Sequence, residues 1–218
     1  MALAHSPKII TDGLVLCLDA GNTKSYNAGI STTAWTDLSG NGNNGTLVNG
    51  VGYSGGSLSF DGVNDYVQTN LNTHYSQITL STWALRTDTN TFRSLIGKYR
   101  GDPPQTESYE LLFNNSAGIR FHVTSSSIDY NNSTTTGVWY NIVGTYNGTT
   151  AKIYLNGMEV SSGNRTAGVN SVNFRIGASP RGTNYNNGNI AQVSIYNRAL
   201  TESEIRQNFN ALRGRFGI

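Results

Sequence analysis

Apolar and polar residues alternate in short runs along most of this chain. The clearest case spans residues 138–160. Val-Trp-Tyr-Asn-Ile-Val-Gly-Thr-Tyr is followed by Asn147-Gly148, then Thr-Thr-Ala-Lys-Ile-Tyr-Leu, then Asn156-Gly157 and Met-Glu-Val. Asn-Gly favours the type I′ turn that joins antiparallel strands, so this stretch predicts two consecutive hairpins. Asn-Gly pairs that begin at Asn41, Asn44, Asn49 and Asn187 read as turns on the same ground. Further strands are predicted at Leu14–Leu18, Ser57–Phe60, Tyr66–Thr69, Ile78–Leu85, Ser94–Tyr99, Tyr109–Asn114, Gly118–Val123 and Asn173–Gly177. Many short strands separated by polar turns predict an all-β sandwich or jelly roll. Residues 12–56, rich in Gly, Asn and Thr, read as one strand followed by long ordered loops.

One segment breaks this rhythm. Ile190, Val193 and Ile195 belong to a short β-branched run, as a strand needs. Thr201 then stands at an N-cap, and Glu204 three residues later completes a capping box. Leu200 and Ile205 occupy the positions of a hydrophobic staple. Ile205, Phe209 and Leu212 fall at i, i+4 and i+7, which makes one helical face apolar. The pattern predicts a short helix over 201–213 that covers part of a sheet. Gly214 is placed to stop it, and Arg206 and Arg213 suit its negative end.

The 218 residues, with 25 Gly and 12 Tyr, read as one domain over 1–218. Within it, 1–12 is an N-terminal arm and 214–218 a C-terminal tail. A net charge of +2 gives no electrostatic case for nucleic-acid binding. Eleven of the 15 basic residues are Arg, which favours planar, bidentate contacts. Cys17, the one cysteine, sits in an apolar run and reads as a small buried hydrophobe that forms no disulfide within the chain. The first ten residues lack a signal-peptide layout, and no segment approaches the length of a membrane span. The expectation is synthesis in the cytoplasm without export by the usual route, and no membrane insertion.

The order of motifs resembles the laminin-G-like (concanavalin A-like lectin/glucanase) domains. Trp35-Thr-Asp-Leu-Ser-Gly-Asn-Gly-Asn-Asn-Gly-Thr-Leu47 is similar to their early loop, and Phe60-Asp-Gly-Val-Asn-Asp-Tyr-Val67 to the next strand. Ile78 to Trp83, Trp139 to Gly157 and Ile195 to Ile205 follow in the family order. The resemblance implies a concanavalin A-like jelly-roll β-sandwich with one short C-terminal helix. At the two ends, residues 6–22 and 207–217 look like laminin-G-like proteins of tailed bacteriophages. That narrower likeness implies a virion structural protein, as capsid decoration, fibre or tail accessory, with other virion proteins as partners. Analogy with such proteins suggests a homo-oligomer, with a trimer as one form.

Glucanases on this fold carry a Glu-x-Asp-x-Glu strand, whose alternation puts the carboxylates on one face. This chain has no such run. Its five glutamates are Glu107, Glu110, Glu159, Glu202 and Glu204. His5, His74 and His122 lack metal-ligand spacing. The expected role is therefore non-catalytic, with no required cofactor. Many relatives carry Asp-Glu after the Gly-x-Ile of the closing strand, where this chain has Ala191 and Gln192. That departure weighs against a family-type calcium site. Asp37, Asp61 and Asp65 remain candidate ligands, set against a plain role in holding loops.

Glycan recognition draws on aromatic faces and on planar polar side chains. Three loops offer them, and the candidate glycan- or partner-binding residues are Tyr99, Arg100, Tyr109, Tyr130, Asn132, Arg181, Asn184, Tyr185 and Asn186. Loops on a rigid scaffold commonly carry binding. Trp35, Trp83 and Trp139 read as core. Arg213, Arg215 and Phe216 extend past the expected helix stop, and the expectation is that they dock on another subunit. Three functions remain open: a virion surface protein, a carbohydrate-binding adhesion module for host surface glycans, and a glycan hydrolase.

Overall fold

A computed structural model describes residues 7–30, 33–89, 91–98, 109–124, 126–166 and 172–218. The strands are β1 (Leu14–Asp19), β2 (Ala34–Trp35), β3 (Gly45–Val48), β4 (Gly52–Ser54), β5 (Ser57–Asp61), β6 (Tyr66–Thr69), β7 (Ile78–Arg86) and β8 (Arg93–Gly97). They continue with β9 (Tyr109–Phe113), β10 (Ile119–Val123), β11 (Ser126–Tyr130), β12 (Trp139–Tyr146), β13 (Thr150–Leu155), β14 (Met158–Asn164), β15 (Arg175–Ile176) and β16 (Asn187–Tyr196). A single helix, α1 (Glu202–Leu212), closes the described chain together with a 3-10 turn (Arg213–Phe216).

The strands form two antiparallel sheets. Sheet 1 runs β14-β13-β12-β7-β16-β5-β4, with β1 also paired to β16. Sheet 2 runs β11-β10-β9-β8-β15-β6-β3-β2. Alternation along each strand decides which side chains meet between the sheets. Tyr109, Leu111 and Phe113 of β9 point inward with Ile119, Phe121 and Val123 of β10, against Ile142 and Ile153 of sheet 1. Trp35 is completely buried in the same core. Gly144 lets the sheets close, because a Cβ there would lie 2.8 Å from the Phe121 ring.

The hairpin predicted around Asn156-Gly157 forms with both residues at positive φ, 50° and 79°, as a type I′ turn requires. Asn49-Gly50 also takes positive φ at both residues, 65° and 101°, but it carries the chain from β3 in sheet 2 to β4 in sheet 1 and makes no hairpin. Two Asn-Gly pairs do not make turns. Asn44 accepts the Asp37 amide while Gly45 opens β3. Asn187-Gly188 opens β16, because a Cβ on Gly188 would stand 2.1 Å from the Leu85 carbonyl oxygen. There glycine serves close strand approach rather than reversal. Residues 12–56 also hold three short strands beyond the one expected, β2, β3 and β4. Their sparse apolar content hid them.

The helix starts as expected. Thr201 Oγ1 accepts the Glu204 amide, and Glu204 Oε2 accepts the Thr201 amide at 2.8 Å. It packs on the outer face of sheet 1, where Ile205 meets Val143, Tyr154 and Tyr196, and Phe209 meets Trp83 and Ala191. Two expectations at this end are corrected. Gly214 does not stop the chain; the 3-10 turn carries on to Gly217, which takes the left-handed φ of 72°. The tail is also not a free docking segment. Phe216 stacks on Trp83 with ring centroids 4.0 Å apart and planes 8° apart, and it lies 5.1 Å from Trp139. Arg215 pairs with Asp19 at 2.5 Å and donates to the Gly56 carbonyl. An exposed aromatic residue past a helix end gains more from two indole faces than from water.

The arm joins this layer. The Ile10 amide donates to Asn208 Oδ1, and Gln207 Nε2 donates to the Lys8 carbonyl. Cys17 is buried against sheet 1, and burial pushes its thiol up to about 11.

Candidate functional site

With α1 and the arm on sheet 1, the outer face of sheet 2 is left for function. Register assembles it. Gln68 of β6 stands opposite Arg175 of β15, Arg175 opposite Gly97 of β8, and Gly97 opposite Glu110 of β9. Glu110 in turn faces His122 of β10, and His122 faces Ser127 of β11. The strand neighbours of these residues point into the core, so this row points outward.

Arg120, next outward residue along β10, forms a two-point ion pair with Asp129 of β11, at 2.7 and 3.1 Å. Its guanidinium lies 5.0 Å from the centre of the Phe92 ring. Asn114 Nδ2 bonds Asp129 and Asn131, tying the ends of β9 and β11 together. On the other side, Arg175 lies 4.4 Å over the Tyr66 ring, with its Nε bonded to Gln68 at 3.0 Å.

The segment between β15 and β16 runs beside β8. The Ser94 amide donates to the Asn184 carbonyl, and Arg93 donates to the Tyr185 carbonyl, both at 2.7 Å. Arg93 also pairs with Asp88, which accepts from Asn187. Glu110 of β9 is sealed, with 1% of its surface exposed. Its side chain lies over Gly97, where an added Cβ would be 3.4 Å from both Glu110 Oε1 and Ser94 Oγ. Burial pushes the Glu110 carboxyl up to about 7, against smaller opposing effects of the nearby Ser94 hydroxyl and the Arg181 charge. That hydroxyl stands close without making a hydrogen bond of good geometry, and Glu110 Oε1 has no hydrogen-bond partner among the described residues. Burial, and then the Arg120 charge, bring His122 down to about 4.

The sequence candidates separate on this frame. Tyr99 and Arg100 lie outside the described residues. Tyr130 and Asn132 reach the surface at the end of β11, and Arg181 is exposed, with Asn184 and Tyr185 half-buried. Two expectations are corrected. Tyr109 is completely buried, with its hydroxyl donating to the Tyr75 carbonyl, because β9 starts at Tyr109 and alternation turns it inward. Asn186 is also completely buried, its amide bonded to the Gly177 carbonyl beside β8. Tyr109 and Tyr130 also stand toward opposite ends of the sheet, in the rows of Val123 and Ile119. Asp129 and Tyr130 belong to a strand rather than a loop. Phe92, Arg120, Asp129 and Arg175 were missed. Parity within the predicted strands Gly118–Val123 and Asn173–Gly177 already placed Arg120 and His122 on one face and Arg175 on the face opposite Phe174 and Ile176; nothing local set Arg175 beside Gln68 and Tyr66.

The carboxylates proposed as metal ligands hold loops. Asp37 accepts from the amides of Cys17, Ser39 and Asn43 and from the Ser39 hydroxyl. Asp61 accepts the Val63 amide, and Asp65 accepts the Asp61 amide. Among the described residues no three His, Cys, Asp or Glu side chains group so as to hold a metal ion.

An open groove of about 870 Å³ also runs between the loop after β1 and the C-terminal turn. Asp19, Asn22, Thr23, Asn210 and Arg213 line it, without an aromatic side chain. The sheet 2 face, by contrast, joins rings to planar polar groups.

A family profile described as the concanavalin A-like lectin/glucanases superfamily matches residues 61–206. No curated protein matches the chain. Among solved structures, the receptor-binding domain of botulinum neurotoxin C/D mosaic serotype is similar, with TM-score 0.71 and 17% identity over 92% of this chain and 51% of that one. The botulinum neurotoxin serotype D ligand-binding domain in complex with N-acetylneuraminic acid gives 0.69 and 16%, over 92% and 51%. A Trypanosoma rangeli sialidase in complex with sialic acid gives 0.71 and 18%, over 93% and 33%. The chain thus spans about half of the toxin domains and a third of the sialidase. At these identities the likeness is one of fold.

Proposed function

Because the chain belongs to the concanavalin A-like lectin/glucanases superfamily, we propose that it is a non-catalytic carbohydrate-binding module that recognises surface glycans through the outer face of sheet 2. The observation that carries this reading is the group of Phe92, Arg120 and Asp129, a ring set over a two-point ion pair on a rigid sheet. A ring face suits sugar C–H groups, and the fixed donors and acceptors beside it suit hydroxyls. The sialic acid held by the toxin domain and the sialidase agrees with this reading without locating the site. The placement of the glutamates favours binding over hydrolysis. Glu110 is sealed, while Glu159, Glu202 and Glu204 pair with Lys152, Arg206 and Arg198; Glu107 lies outside the described residues. Retaining hydrolysis needs two carboxyl groups facing one sugar.

A glycan array tests the proposal. Phe92→Ala is expected to weaken every bound glycan about tenfold, the usual effect of removing an aromatic anchor. Absence of binding to any glycan would refute it.

A second reading concerns display. Residues 7–12 and α1 lie on sheet 1, opposite the glycan face. A body attached on that side presents sheet 2 outward, which suits the surface of a virion, the role implied by the phage-like end segments. Mass spectrometry of purified particles checks it; absence of the chain from them overturns it.

A further inference from the structure

Charge on the sheet 2 face is not balanced evenly. Arg120 is matched by Asp129, and Arg93 by Asp88. Glu110 is sealed, with its side chain over Gly97, and the charge that reaches it is that of Arg181. Arg175 stands apart. Its guanidinium is fixed by stacking on Tyr66 at 4.4 Å and by the single Nε bond to Gln68. Among the described residues no carboxylate pairs with it, and its two Nη nitrogens make no hydrogen bond. Arg175 is half-buried, so this outer edge still meets solvent.

That arrangement is a preorganised anion receptor. A guanidinium offers parallel N–H donors that fit the oxygens of a carboxylate or sulfate. Holding the side chain in place beforehand removes most of the ordering cost of binding. A structural arginine would instead spend its Nη donors on protein acceptors, as Arg93 and Arg198 do.

We propose that Arg175 is the anion-recognising residue of this face, so that the glycans bound there carry a carboxylate or a sulfate. This rests on the carbohydrate-binding reading above. The three ligand types compared are one oligosaccharide backbone in neutral, carboxylated and sulfated forms, titrated by calorimetry at low and moderate salt. The anionic forms are expected to bind wild-type chain about 10- to 100-fold more tightly than the neutral one, the range for charge-assisted hydrogen bonds. That preference should shrink with salt. Arg175→Gln should abolish it. Arg175→Lys should restore part of it, since the charge returns without the fork. Tyr66→Leu, which removes the platform and keeps the charge, should lower it several-fold. Preference for the carboxylated or the sulfated form identifies which anion is read.

Equal affinity for neutral and anionic forms would overturn the inference and leave carbohydrate binding standing. So would an unchanged preference in a folded Arg175→Gln chain. No binding of any form would overturn both.

Discussion

Glu110→Gln isolates the energy of a carboxyl sealed into a sheet. Burial raises the Glu110 pKa from 4.5 to about 7 in the folded chain. Between those values the folded state keeps a proton that the unfolded state has lost, so this group makes stability fall as pH rises. At about 1.36 kcal/mol per pH unit, the interval corresponds to about 3 kcal/mol. His122, directly opposite on β10, works with the other sign. Its pKa falls from 6.5 to about 4, so over that window the unfolded state binds the extra proton and stability rises with pH. From 4.5 to 6.5 the two slopes largely cancel in the wild-type chain. Removing the Glu110 titration leaves the His122 slope exposed. Glu204, drawn down to about 2 chiefly by Arg198, titrates below this range. Urea unfolding of both chains from about pH 4.5 to about pH 8 is the assay. The stability of Glu110→Gln relative to wild type should rise by about 3 kcal/mol across it. A difference between the two chains that stays constant with pH would refute the claim that burial holds Glu110 protonated.

Two further predictions concern packing. Phe216→Ala should cost about 1–2 kcal/mol and shift tryptophan emission to the red, since Trp83 loses the ring stacked at 4.0 Å; unchanged emission and stability would mean the tail is not seated. Gly144→Ala should cost about 1–3 kcal/mol in denaturant titration, because its Cβ would enter the Phe121 ring from 2.8 Å. A neutral effect would mean that the sheets can separate at that point without loss.

What could be read from the chain itself was local. The capping box needs only Thr201 and Glu204, three residues apart, and it formed as read. The hairpin at Asn156-Gly157 needs only a turn that accepts positive φ and flanking strands. Parity within Gly118–Val123 put Arg120 and His122 on one face. The same local rules failed where a distant segment decided the outcome. Asn187-Gly188 reads as a turn until Leu85 of β7 is laid against it. Phe216 reads as a loose end until Trp83 and Trp139 present a surface for it. Tyr109 and Asn186 carry the right chemistry for a binding loop, yet neighbouring strands bury them.

The assembly of the candidate site belongs to this second kind. Arg175 and Gln68, its bonding partner, lie 107 residues apart in sequence. Composition and alternation by themselves determined that the chain forms a sandwich closed by one helix, because each strand and cap is stabilised by its own near neighbours. Only the tertiary structure decided which polar residues share a face, because strand register sets those neighbours, and register is settled between segments far apart in the chain.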